Sequence, residues 1–112
     1  MATIKFYYLH CHNSEESRNT SAGDELELQI VADGNAQTHR RSRMWNGRRW
    51  DLGIQVDFNN EVEVILRELD NPRAGDPHDD LGRIIISPSE LDGPFTFTGH
   101  GVSYELQWGP VT

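Results

Sequence analysis

The chain has 112 residues, of which 18 are acidic and 10 are Lys or Arg, so its formal net charge at neutral pH is −8. This length predicts one domain over residues 1–112, and the excess of negative charge excludes sequence-independent binding to nucleic acid, which requires a cationic surface. No stretch approaches the ~20 apolar residues of a membrane span, and the first residues lack the cationic start and apolar run of a signal peptide. We therefore expect a cytoplasmic protein that is not an integral membrane protein, unless a leader precedes this sequence.

Apolar and polar residues alternate through most of the chain, as they do in strands that have one buried and one wet face. Nowhere do apolar residues recur at helical spacing over three turns, and 87–91 is at most one turn of helix. The pattern therefore predicts an all-β fold, an antiparallel β-sandwich of seven or eight strands or a small barrel. In chain order, strands are predicted over 4–8, 26–30, 52–58, 62–66, 81–86, 94–98 and 102–108.

Two connections, 11–23 and 70–80, are too long for hairpins, and the second is strongly acidic. Two carboxylates ~4 Å apart repel by about 4 kcal/mol at an effective dielectric near 20, so such a loop either extends into water or binds a cation. Calcium takes about six to eight oxygen ligands in a flexible geometry that an irregular loop can supply. We therefore predict a calcium site in this loop. The carboxylates between residues 68 and 80 are Glu68, Asp70, Asp76, Asp79 and Asp80.

The acidic segment resembles the third calcium loop of the C-two domains, the calcium- and phospholipid-binding β-sandwiches. In that family a strand ends in D-x-D, and a third Asp stands three residues before a Gly. Glu68, Asp70 and Asp79 fall at those three positions, with Glu68 in place of an Asp, and Gly82 is the Gly. The segment 23–28 resembles the family's first calcium loop and makes Asp24 a further ligand.

The resemblance implies a non-enzymatic module that binds calcium and then contacts acidic phospholipid or a protein partner. The resemblance implies Asp24, Glu68, Asp70 and Asp79 as ligands, and the acidic loop adds Asp76 as a fifth candidate.

Half of all the cationic side chains lie within the ten residues 40–49, next to two tryptophans. Arginine pairs with phosphate headgroups or carboxylates, and tryptophan stacks on sugars or lies at a membrane surface. We predict that Arg41, Arg43, Trp45 and Arg48 bind an anionic ligand. The alternative is that Trp45 or Trp50 packs in the core and the arginines balance the acidic loop.

Two other interpretations remain open. A metal-free sandwich could bind protein or sugar, or serve as an assembly subunit. A small cupin-like metal enzyme would use His10 and His12, which share one strand face, with Glu16, Gly23 and a later histidine such as His100.

The single cysteine, Cys11, is expected to be a buried structural thiol rather than a nucleophile, because no local signature supplies it with a base.

Overall fold

The computed structural model describes residues 1–14, 23–69 and 79–111, and these form eight antiparallel strands. A short 3₁₀ turn at Gly99–Gly101 joins the last two strands. The all-β prediction is confirmed. The strands are β1 (Ala2–Asn13), β2 (Asp24–Ala32), β3 (Asn35–Met44), β4 (Arg49–Phe58), β5 (Val62–Glu68), β6 (Asp79–Ile86), β7 (Phe95–Phe97) and β8 (Ser103–Pro110).

The strands form two four-stranded sheets, with order β4-β1-β8-β7 in the first sheet and β3-β2-β5-β6 in the second. Every pairing is antiparallel. The sheets face each other as a sandwich, which decides between the two architectures that the alternation left open. The segment 87–91 contains a turn in which the Glu90 N–H donates to the Ser87 carbonyl, and no helix.

The inward side chains of both sheets form one apolar core. Period-two burial is clear in β2, where Leu26, Leu28 and Ile30 are buried while their neighbours are not. Trp108 lies in the core, as the sequence predicts, and so does Trp50, whereas Trp45 is only partly buried.

The alternating pattern misses β3, which lies at the edge of the second sheet and buries only its last residue, Met44. An edge strand that contributes so little to the core needs no apolar face, so its polar sequence carries no hydrophobic signal. Pairing with β2 holds it in place. The two strands are joined at Asp33 and Gly34, whose φ angles of 49° and 85° are those of the tight turn that suits twisted hairpins.

The two ends of the sandwich differ. At one end the Asp33 carboxylate accepts hydrogen bonds from the backbone N–H groups of Asn59, Asn60 and Glu61. These bonds connect the β2–β3 turn to the β4–β5 connection. The opposite end is called the loop end here. Its described residues are 14, 23, 45–48, 69 and 98–102, and the strand ends next to them carry Asp24, Glu68 and Asp79.

Candidate functional site

Two carboxylates are buried at the loop end. Asp24 is the first residue of β2 and is 0% exposed, and Glu68 is the last residue of β5 and is 3% exposed. Asp24 shares the inward face of β2 with Leu26, and Glu68 shares the inward face of β5 with Leu66. Both side chains therefore point between the sheets rather than into solvent, because they continue the inward phase of their strands beyond the apolar residues.

Asp24 is linked to the opposite sheet by a buried hydrogen bond. The Tyr104 hydroxyl on β8 donates to Asp24 Oδ2 at 2.5 Å. Burial, followed by this contact with the Asp24 carboxylate, raises the pKa of Tyr104 far above its ordinary value. The tyrosine is therefore a fixed donor at any physiological pH, and the bond connects the two sheets at the loop end.

Cys11, on the inward face of β1, lies next to this pair. Burial raises the pKa of its thiol to about 11; the negative charge of Asp24 adds to the rise and a hydrogen bond with Tyr104 opposes it. The nucleophilic form of cysteine is the thiolate. At neutral pH Cys11 is thus a protonated side chain in a buried polar cluster, as the structural interpretation of this residue predicts.

Asp79 lies beside Glu68, with which it pairs across β5 and β6. Its side chain is 20% exposed, and its Oδ1 is 3.9 Å from Nε2 of His100. His100 is held there because Gly99 packs closely on β6: a Cβ at Gly99 would stand 2.7 Å from the Leu81 carbonyl oxygen. The 3₁₀ turn between β7 and β8 therefore contacts the start of β6.

Three of the five predicted calcium ligands are thus at one end of the sandwich: Asp24, Glu68 and Asp79. The other two, Asp70 and Asp76, lie outside the described residues. Within residues 1–14, 23–69 and 79–111, no three His, Cys, Asp or Glu side chains are arranged to hold a metal ion. Asp24, Glu68 and Asp79 therefore do not by themselves form a metal-holding group in the part of the chain that the structure describes, although carboxylate oxygens are the ligand type that calcium prefers.

A second feature of the loop end is the turn Trp45–Arg48 between β3 and β4. The Gly47 N–H donates to the Cys11 carbonyl, and the Cys11 N–H donates to the Arg48 carbonyl, each at 2.8 Å. The Arg48 guanidinium lies 3.9 Å from the centre of the Trp45 ring. These contacts fix the turn against the end of β1 and present one aromatic ring and one cation together.

Gly23 allows the close approach on the other side of this turn. It has a φ of +64°, and a Cβ there would stand 2.9 Å from both the Met44 carbonyl oxygen and the Trp45 ring. The glycine that the cupin interpretation used as a motif residue is thus explained by local packing.

The arginines of this region differ in their partners. Arg40 pairs with Glu27 at 3.0 Å, and Arg49 pairs with Asp51 at 3.2 Å. In the described part of the chain, Arg41, Arg43 and Arg48 form no ion pair with a carboxylate. They are exposed, as a site for an anionic ligand requires.

The histidines do not assemble as a cupin site would need. His10 and His12 lie on the outer face of the first sheet, where their ring centres are 4.5 Å apart and His12 Nε2 is 2.8 Å from Glu105 Oε1. His100 contacts Asp79 of the second sheet instead. Glu16 lies outside the described residues.

Tyr104 has no predicted role beyond its strand position, because its contact with Asp24 spans 80 residues of sequence. The one available signal was its inward phase within the alternation of β8.

The chain matches no model of a known protein family, and no match was found among curated proteins. Across the described ranges there is no helix with the length and apolar character that crossing a membrane requires.

Proposed function

We propose that this chain is a non-enzymatic binding module that takes up calcium at the loop end and then contacts an acidic phospholipid surface or a protein partner. The observation that carries the proposal is the burial of Asp24 and Glu68 at the same end as Asp79. Buried carboxylates in proteins are hydrogen-bonded, ion-paired or bound to metal. A divalent cation at this end would add an electrostatic contact to those that the two carboxylates already make.

The resemblance to C-two domains supports this proposal from the sequence side. It implies ligand roles for Asp24, Glu68, Asp70 and Asp79, and Asp76 is added from the acidic loop. The three candidate ligands that the structure describes, Asp24, Glu68 and Asp79, lie at the ends of β2, β5 and β6, which are neighbours in the second sheet.

The turn Trp45–Arg48 supports the second part of the proposal. Its aromatic ring and guanidinium lie at the same end as the carboxylates, and the backbone of the turn is hydrogen-bonded to β1. Calcium would reduce the negative potential of this end, and Arg43 and Arg48 would then pair with phosphate oxygens while Trp45 enters the headgroup region.

The calcium proposal is tested by isothermal titration and thermal unfolding in calcium, in magnesium and in EDTA. At a hundredfold excess over its dissociation constant, a ligand that binds only the folded state stabilises it by about 2.7 kcal/mol. We expect Asp79→Asn to reduce this gain. Asp92→Asn is the matched control, because Asp92 is exposed outside the loop end. No heat of binding and no change in the melting temperature with calcium would refute the proposal.

The lipid contact is tested by sedimentation with phosphatidylserine vesicles. We expect calcium-dependent binding that Trp45→Ala and Arg48→Ala weaken and that Lys5→Ala, on the first sheet, leaves intact. Calcium binding without any vesicle binding would point to a protein partner instead.

A metal-free module is the second candidate function. It is favoured by the absence of carboxylate partners for Arg41, Arg43 and Arg48 among the described residues. Anion binding that persists in EDTA would support it.

A further inference from the structure

The four edge strands of the sandwich are protected to different degrees against pairing with an additional strand. β7 has only three residues, and β4 is interrupted by Gly53, whose φ is +62°, at an irregularity in its pairing with β1. The start of β6 is in contact with the turn at Gly99–Gly101. Short strands, bulges and covering loops are the usual means by which proteins block strand addition at an edge.

β3 has none of these features over most of its length. It is ten residues long, and it pairs with β2 without a register shift from Asn35 to Arg41. Its two ends are fixed, since Asp33 next to its start is hydrogen-bonded to 59–61 and Met44 at its end is buried. β3 is therefore a long, regular and pre-ordered edge.

The hairpin geometry determines which backbone groups this edge offers. In a two-residue hairpin the residues that flank the turn, Ala32 and Asn35, exchange both hydrogen bonds, and bonded pairs then alternate along the ladder. The odd-numbered residues of β3 therefore bond to β2. The even-numbered residues Ala36, Thr38 and Arg40 direct their N–H and C=O groups away from it, and all three residues are exposed.

The charge of β3 is opposite to that of the whole protein. It carries three of the ten cationic side chains of a chain whose net charge is −8: Arg40, Arg41 and Arg43. Arg40 is held by Glu27, whereas Arg41 and Arg43 make no ion pair within the described ranges. Such charges prevent the edge from pairing with the same edge of a second copy, because that pairing would bring three arginines from each copy together. They attract a strand of negative charge.

A depression lies next to the same edge, with three residues of β3 in its lining. Its volume is about 180 Å³, which is enough for one side chain of an added strand. In strand addition the backbone provides affinity and adjoining pockets select side chains. The depression is lined by Glu25, Leu26, Arg40, Arg41, Ser42 and Leu69.

We propose that the free edge of β3 accepts an extended, acidic segment of a partner protein as an added strand. The N–H and C=O groups of Ala36, Thr38 and Arg40 would pair with the segment, and its carboxylates would meet Arg41 and Arg43. This inference rests on the proposed function only in taking these two arginines as contacts for an anionic partner. Calcium plays no part in it.

The probe is a fluorescent peptide about ten residues long that alternates Glu and Val, titrated in EDTA, with a Lys–Val peptide as the charge control. We expect the Glu–Val peptide to bind and the Lys–Val peptide not to bind. Thr38→Pro removes one outward N–H without removing a bond to β2, and we expect it to weaken binding by roughly tenfold or more. Thr38→Val is the matched control and keeps the affinity, while Arg41→Glu weakens it.

Amide hydrogen exchange provides a readout that a change in fold stability alone would not produce. In the free protein we expect the amides of Ala36, Thr38 and Arg40 to exchange fast and those of Gln37 and His39 to be protected. The bound peptide should slow the exchange of the Ala36, Thr38 and Arg40 amides and leave that of the other two unchanged. Equal affinity of Thr38→Pro and the native chain, or no peptide binding up to about 1 mM, would overturn the proposal. Binding to phosphatidylserine vesicles without binding to the peptide would do the same, because the arginines would then face lipid.

The two proposals fail separately. Loss of calcium binding leaves the peptide result in EDTA unaffected, and loss of peptide binding leaves the calcium titration unaffected.

Discussion

The Tyr104→Phe substitution removes a single oxygen atom from the interior of the sandwich and leaves the aromatic ring in place. That oxygen donates the 2.5 Å hydrogen bond to Asp24, whose side chain has no exposure to solvent. A hydrogen bond to a charged group contributes about 1.5–3 kcal/mol, and a buried acceptor that loses its donor is penalised further. We therefore expect the free energy of unfolding to fall by about 2–3 kcal/mol. For a domain of this size the melting temperature should fall by roughly 10 °C.

The assay is urea denaturation followed by the fluorescence of the buried tryptophans, with a constant denaturant slope showing that only stability has changed. Tyr7→Phe is the matched control, because Tyr7 is 45% exposed on the outer face of the first sheet; we expect it to change stability by less than about 0.5 kcal/mol. A double-mutant cycle with Asp24→Asn isolates the pair. A loss below about 0.5 kcal/mol for Tyr104→Phe would show that the bond does not stabilise the loop end.

Three further predictions concern pH and close packing. Folding raises the pKa of the Cys11 thiol from 9.0 to about 11, so its contribution to stability is complete below pH 9 and is lost as pH rises from 9 to 11. The loss is about 3 kcal/mol and is absent in Cys11→Ala. The hydrogen bonds that Asp33 accepts from backbone N–H groups lower its pKa below 3.8. Its contribution to the free energy of unfolding is therefore present above pH 3.8 and is lost on further acidification. Asp33→Asn should reduce this loss of stability at acid pH, as measured by unfolding followed by circular dichroism. Gly99→Ala should cost about 1–3 kcal/mol in urea denaturation, because its Cβ would stand 2.7 Å from a backbone oxygen.

Each of these has its own control. The raised pKa of Tyr104 adds alkaline destabilisation in the same direction, so Cys11→Ala is compared with the native chain at equal pH, and an unchanged slope between pH 9 and 11 would contradict the Cys11 assignment. For Asp33→Asn, a loss of stability at acid pH identical to that of the native chain would be the contrary result. Gly109→Ala is the control for Gly99→Ala, because its Cβ would lie 3.9 Å from the Tyr7 ring, an ordinary contact distance. Equal stability of the two alanine variants would refute the packing argument.

Much of the fold follows from the local order of residues. A strand places alternate side chains on opposite faces, so the alternation in 26–30 or 102–108 indicates both a strand and the face that it buries. The prediction fails at β3 because an edge strand that buries only Met44 has no apolar face to mark it. For the same reason the arginines of β3 could be noticed in the sequence but not placed along an open edge.

The local order of residues was enough to predict the class of fold, the inward phase of most strands and the concentration of carboxylates around 68–80. The pairing of strands distant in the chain decided the rest: it placed Asp24 and Glu68 inside the same end of the sandwich and put Tyr104 within hydrogen-bonding distance of Asp24. It also separated His100 from His10 and His12, which sequence spacing alone allowed to meet. The physical reason is that periodicity reports which way a side chain points, whereas the identity of its neighbour depends on which strand ends the tertiary structure brings together.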